Sequence, residues 1–191
     1  MQTELMRAAW LERRRYGGFT LVEALVVVVL VALIAVMATP SFVAWRVRDQ
    51  VDARARALVS TLAYARSESI RRGARVTLCR IDAARRCLAA GGACEGGAAD
   101  WSCGWAVRVE RGGMPSMLRM QPSVAAIAIA GNATDIAFTP PAGQVIGGFR
   151  SFDVAPRIVS ESTLGERWRR CVRVAAGGRA RLTEGGCGGK P

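Results

Sequence analysis

The chain is 191 residues long, 51% apolar, strongly basic at +12, and contains no histidine. That length suits one domain plus one apolar segment, with a single modest core. With no histidine, no Cys-x-x-Cys pair and no nucleophile motif, the composition argues against a zinc site and against an enzyme, so no catalytic residue, cofactor or metal is expected.

The positive charge is almost all arginine, since Lys190 is the only lysine. Arginine's planar fork suits phosphate better than an ammonium does. A basic balance of this kind points to nucleic acid, anionic lipid or acidic partners. The competing reading is a genome-wide preference for arginine over lysine, and only a local cluster separates the two.

Residues 1–18 are short and polar and end in Arg13-Arg14-Arg15-Tyr16-Gly17-Gly18. Phe19-Thr20-Leu21-Val22-Glu23 then opens an apolar run over 24–38. As a helix, residues 19–38 rise about 30 Å, one hydrocarbon core. The preceding arginines favour a cytoplasmic N-terminus and place the remainder outside. A secretory signal peptide would be shorter and followed by a small-residue cleavage site, which Thr39-Pro40-Ser41-Phe42 does not supply. A plain membrane anchor would avoid Glu23, because a carboxylate inside a bilayer is costly without a partner. Cleavage just before Phe19 would provide one: the free amine of a neighbouring copy.

Pro40 is expected to kink or loosen the helix, having no N–H to donate. Beyond it Val51, Ala55, Leu58, Leu62, Ala65 and Ser69 recur at steps of four and three, the apolar face of an amphipathic helix. Arg48, Asp49, Asp52, Arg56 and Arg66 fall largely off that face. Arg71-Arg72 followed by Gly73 forms a helix stop, with cations at the negative end and a glycine for the left-handed cap. Strands are expected over 75–81 and 105–110, with weaker candidates at 125–130, 135–139, 151–154 and 169–175. Pro140-Pro141-Ala142-Gly143 and Gly147-Gly148 mark turns, and the glycine-rich stretch 89–99 reads as a loop.

Six cysteines, Cys79, Cys87, Cys94, Cys103, Cys171 and Cys187, all follow the apolar run. An even count there fits disulfides in an oxidising compartment such as a periplasm. Cys79 with Cys87 and Cys94 with Cys103 would staple the loop, but spacing leaves the connectivity open. At the C-terminus, Trp168-Arg169-Arg170-Cys171-Val172-Arg173-Val174 reads as a strand, Gly177-Gly178 as a turn, and Arg179-Ala180-Arg181-Leu182 as the return. Alternation puts Arg179 and Arg181 on one face, Ala180 and Leu182 on the other. Cys171 and Cys187 bracket this hairpin and can bond only if Gly185-Gly186 folds the tail back. No aromatic platform is evident beside it, so base stacking is not indicated.

Two resemblances narrow the reading. Gly18-Phe19-Thr20-Leu21-Val22-Glu23 resembles the class III signal of type IV pilins and type II secretion pseudopilins. It implies that a prepilin peptidase cuts between Gly18 and Phe19 and methylates the new N-terminus of Phe19, and that Glu23 aids docking of subunits. The stretch from Tyr64 to Gly73, with Val76-Thr77-Leu78-Cys79, Trp101, Gly104-Trp105 and Ile136-Ala137-Phe138-Thr139-Pro140, is similar to the GspH/FimT group of minor pilins. The implied fold is α+β and type IV pilin-like: a long N-terminal helix, half transmembrane and half amphipathic, packed on an antiparallel β domain. The expected division is a leader over 1–18, an assembly helix over 19–39, an amphipathic helix over 40–73 and a periplasmic β domain over 74–191.

Gly178-Arg179-Ala180-Arg181 also resembles the Gly-Arg-x-Arg pattern of the FimT minor pilins of natural transformation. That resemblance implies double-stranded DNA as a partner, bound by Arg179 and Arg181 with Arg169, Arg170 and Arg173 nearby. Contact of this kind would be sequence-independent and salt-sensitive. The alternatives are edge arginines that merely block strand-to-strand aggregation, and a structural minor pilin or type II secretion pseudopilin. The remaining expected partners are the inner membrane, other pilins or pseudopilins, and the prepilin peptidase.

Overall fold

The structure is a computed structural model and describes residues 20–89, 92–160 and 163–188. The predicted processing site, Gly18 and Phe19, lies outside the described residues. One helix, α1, covers Leu21–Arg72. The chain divides into two compact units, the first ending at Phe42 and the second beginning at Val43.

In the first unit α1 is apolar on every side. Leu21, Leu25, Val28, Leu30, Ile34 and Met37 are all exposed, and none of its most apolar stretch is buried against the chain. Length and composition suffice to cross a membrane. Thr20 caps the start, its Oγ1 accepting the Glu23 backbone N–H at 3.2 Å. The helix continues through Pro40.

In the second unit the amphipathic pattern is realised residue by residue. Val51, Ala55, Leu58, Leu62, Ala65 and Ser69 are all buried. The helix stops at Arg72, and Gly73 takes φ +60 while its N–H reaches back to the Ile70 carbonyl. Glu68 is buried beneath Arg71 and Arg72, which both pair with it.

Two antiparallel sheets complete the unit. The first has the order β3-β2-β1-β5-β6, from β1 (Val76–Arg80), β2 (Gly104–Arg111), β3 (Met114–Pro122), β5 (Asp135–Thr139) and β6 (Gln144–Val145). The second runs β4-β7-β8-β9, from β4 (Ile127–Gly131), β7 (Arg150–Pro156), β8 (Arg170–Val174) and β9 (Ala180–Glu184). Alternation sends Val76, Leu78, Trp105, Val107, Val109, Ile136 and Phe138 of the first sheet into one core with Ile127, Ile129, Phe152, Val154, Val172 and Val174 of the second. The buried face of α1 joins the same core. Trp101 fills its edge, donating Nε1–H to the Ala133 carbonyl at 2.7 Å and meeting Phe152 edge-on.

Two strands were not expected from sequence. β3 is exposed at most positions and pairs with β2 across a register shift at Val107/Arg108, so it shows no apolar alternation. β6 is only two residues long.

Candidate nucleic-acid interface

β8 and β9 form the predicted C-terminal hairpin. Its register sets Val174 opposite Ala180, Arg173 opposite Arg181 and Cys171 opposite Thr183. The turn over 175–179 closes with the Ala175 N–H on the Arg179 carbonyl and the Gly178 N–H on the Ala175 carbonyl. Gly178 cannot be replaced without movement: it sits at φ +78, and a Cβ there would lie 2.0 Å from the Gly143 carbonyl oxygen. The turn is thereby seated on the β5–β6 turn of the other sheet. Val145 N–H, donating to the Ala176 carbonyl at 2.9 Å, adds a second tie.

Ala180 and Leu182 face the core while Arg173, Arg179 and Arg181 are exposed. Like charges directly opposite across two strands repel. Arg173 is steadied against Arg181 by donating Nη2–H to the Cys187 carbonyl at 3.0 Å. That carbonyl is present because the tail folds back. Gly185 takes φ +84 and donates to the Arg169 carbonyl, and Cys187 donates its N–H to Asp153 Oδ2 at 3.3 Å. Disulfides join Cys171 to Cys187, Cys79 to Cys87 and Cys94 to Cys103.

Two arginines grouped with these by sequence have other work. Arg170 points inward: its side chain is 4% exposed and its Nε lies 2.5 Å from Asp52 Oδ1 on α1. It is a correction to the sequence reading, because alternation places Arg170 on the core face with Val172 and Val174. Arg169 forks onto Asp153, with Nε and Nη2 on its two oxygens. The side-chain hydrogen bonds it donates to Asp153 hold its guanidinium above its usual pKa. It anchors the tail. The outward set is therefore Arg173, Arg179 and Arg181, and among the described residues none of these pairs with a carboxylate.

Cations that the sequence reading did not connect with the hairpin gather at the same end of the unit. Arg66 lines, with Val59, Ala63, Ile70, Gly178 and Arg179, a groove of about 470 Å³ between α1 and the hairpin turn. Arg71 and Arg75 are exposed at the α1–β1 corner, and Arg111 at the end of β2 reaches the Arg72 carbonyl. Carboxylates at this end are committed: Glu68 to Arg71 and Arg72, Glu110 to Arg108. Glu23, the predicted assembly residue, is exposed in the first unit, with no cation paired to it among the described residues.

A long apolar-then-amphipathic helix packed on two antiparallel sheets defines a type IV pilin-like subunit. The chain belongs to the GspH family, whose model, described as type II transport protein GspH, matches residues 54–178. The prokaryotic N-terminal methylation motif matches residues 13–39. The fold is similar to two crystal structures of the type IV minor pilin FimU of Pseudomonas aeruginosa strain PAO1, each 18% identical. One gives a TM-score of 0.53 over 71% of this chain and 90% of that one; the other gives 0.50 over 69% and 91%. No curated protein matches the chain. Family and fold together make it a minor type IV pilin or pseudopilin of the GspH/FimT kind. Arg179 and Arg181 lie just beyond the family match, so membership says nothing about them.

Proposed function

We propose that this subunit is a minor type IV pilin that binds double-stranded DNA non-specifically through Arg173, Arg179 and Arg181 during DNA uptake. In this reading the helix over 19–39 anchors it in the inner membrane with the β domain in the periplasm. A prepilin peptidase cleaves between Gly18 and Phe19 and methylates Phe19, and Glu23 then pairs with the amine of a neighbouring pilin. Three disulfides among the described residues support an oxidising compartment for the β domain. Mass spectrometry of the mature protein checks the processing: an unmethylated or uncleaved N-terminus would refute it.

One observation carries the DNA reading: three exposed arginines, with no carboxylate partner among the described residues, stand on a hairpin fixed at both ends. The turn is seated on Gly143 and the tail is tied by the Cys171–Cys187 bond. A cation array that is already ordered loses less side-chain freedom on binding phosphate. The test is titration of the full chain, in nonionic detergent, with duplex DNA at several salt concentrations, beside an Arg179→Ala/Arg181→Ala variant. The double substitution is expected to weaken binding and to flatten the slope of log affinity on log salt by about 2. Binding indifferent to both substitutions would favour the second reading, a structural minor pilin or type II secretion pseudopilin, which the description of the matching family supports.

A further inference from the structure

Phe149 is 74% exposed, yet it sits on a loop built to hold it still. Gly147 and Gly148 take φ +87 and +84, turning the chain sharply between β6 and β7. Arg150 then clasps the loop from within. Its Nη1 donates to the carbonyls of Gly147 at 2.6 Å and Phe149 at 3.1 Å, and its Nη2 to the Ile146 carbonyl at 3.1 Å. The far side is fixed by the Ile146 N–H on the Ala137 carbonyl at 3.1 Å. An aromatic ring on a clamped loop offers contact area at small entropic cost.

The fold sets this ring beside the arginine turn. Arg150 pairs with Val174, the last residue of β8, so Phe149 stands level with the start of the turn that carries Arg179. The surroundings are cationic, with Arg66, Arg71, Arg75, Arg111 and Arg179 at this end, where the described carboxylates Glu68 and Glu110 are already paired. A partner that meets this end needs negative charge and a flat apolar face together. An apolar protein segment has no use for the cations. A closed duplex hides its base faces. An unpaired nucleotide carries both features, a phosphate and an exposed π-face. Anionic lipid meets the same description less well, because a lipid headgroup offers negative charge but no flat π-face for the ring to stack on.

We propose that Phe149 stacks on an unpaired base, so that this end of the subunit prefers single strands and open strand ends over closed duplex. The inference rests on the DNA-binding reading above and adds strand preference to it.

The experiment uses the full chain in nonionic detergent and two labelled probes: a thymidine oligonucleotide, and a duplex closed by hairpin loops at both ends. The unmodified protein is expected to bind the oligonucleotide more tightly. Phe149→Ala, at an exposed position and with its fold checked by circular dichroism, is expected to weaken oligonucleotide binding by about five- to a hundred-fold and to leave duplex binding unchanged. Phe149→Trp is expected to restore the preference and to lose indole fluorescence when the oligonucleotide binds. Equal binding of both probes by Phe149→Ala and the unmodified protein would overturn the stacking and leave the DNA reading standing. Binding to neither probe would overturn both.

Discussion

The two halves of α1 belong to one helix but differ in composition and in what they need around them. From Leu21 to Phe42 apolar side chains point in every direction and are exposed among the described residues. From Val51 onward one apolar face is buried, and both sheets share a core with it. A helix apolar all round needs a non-aqueous neighbour such as lipid or other helices, whereas an amphipathic one can be satisfied by its own domain. The difference separates assembly from folding: changes in the first half should alter where the protein goes, and changes in the second should alter whether it folds.

Three carboxylates on the same helix sharpen that contrast. Asp52 has the largest expected effect. Its removal leaves Arg170 charged, buried and unpaired, so Asp52→Ala should cost about 3 kcal/mol. For a domain of this size thermal melting should show that as a fall of roughly 6–12 °C in Tm. An unchanged Tm would mean that Arg170 finds another partner. Glu68 comes next. Side-chain hydrogen bonds from Arg71, then Arg72, lower its pKa to about 2. A carboxylate depressed in the folded state stabilises above its unfolded pKa, and that stabilisation is lost as pH falls through the folded value. Stability should therefore decline between about pH 5 and pH 2. Glu68→Gln should remove that part of the decline and cost about 1 kcal/mol at neutral pH, because Arg71 is largely exposed and screened. An identical acid profile in the variant would place the titration elsewhere. Glu23 should have no effect on folding at all. Glu23→Ala is expected to leave Tm unchanged and to reduce the subunit recovered in sheared filaments, and normal recovery would break the division between the halves.

Much of this arrangement was legible in the sequence because it rests on periodicity. The six buried positions from Val51 to Ser69 follow directly from steps of four and three, and the helix stop follows from Gly73. β3 was not legible, because an exposed edge strand has no apolar face to alternate. Arg54 was not legible either. It reads like any other arginine on the helix, yet it is buried with its guanidinium 3.8 Å from the Trp105 ring and its Nη2 on the Pro122 carbonyl at 2.6 Å. Burial brings its pKa down to about 10. The candidate interface divides in the same way. Alternation placed Arg179 and Arg181 outward, but the fates of Arg169 and Arg170 depend on Asp153 and Asp52, which only tertiary packing brings near. Phe149 had no signal, since its place beside the arginine turn comes from the pairing of β7 with β8.

The three disulfides have a consequence for biogenesis. Each joins a cysteine to the next one along the chain, across 8, 9 and 16 residues, so no bond spans another. Six cysteines allow many pairings. In the periplasmic reading proposed above, the β domain emerges from its N-terminal end, and oxidation during emergence reaches the native pairing by default, because Cys79, Cys94 and Cys171 each meet their partner before a later cysteine appears. Maturation of this subunit should thus depend on an oxidant and not on an enzyme that shuffles bonds already made.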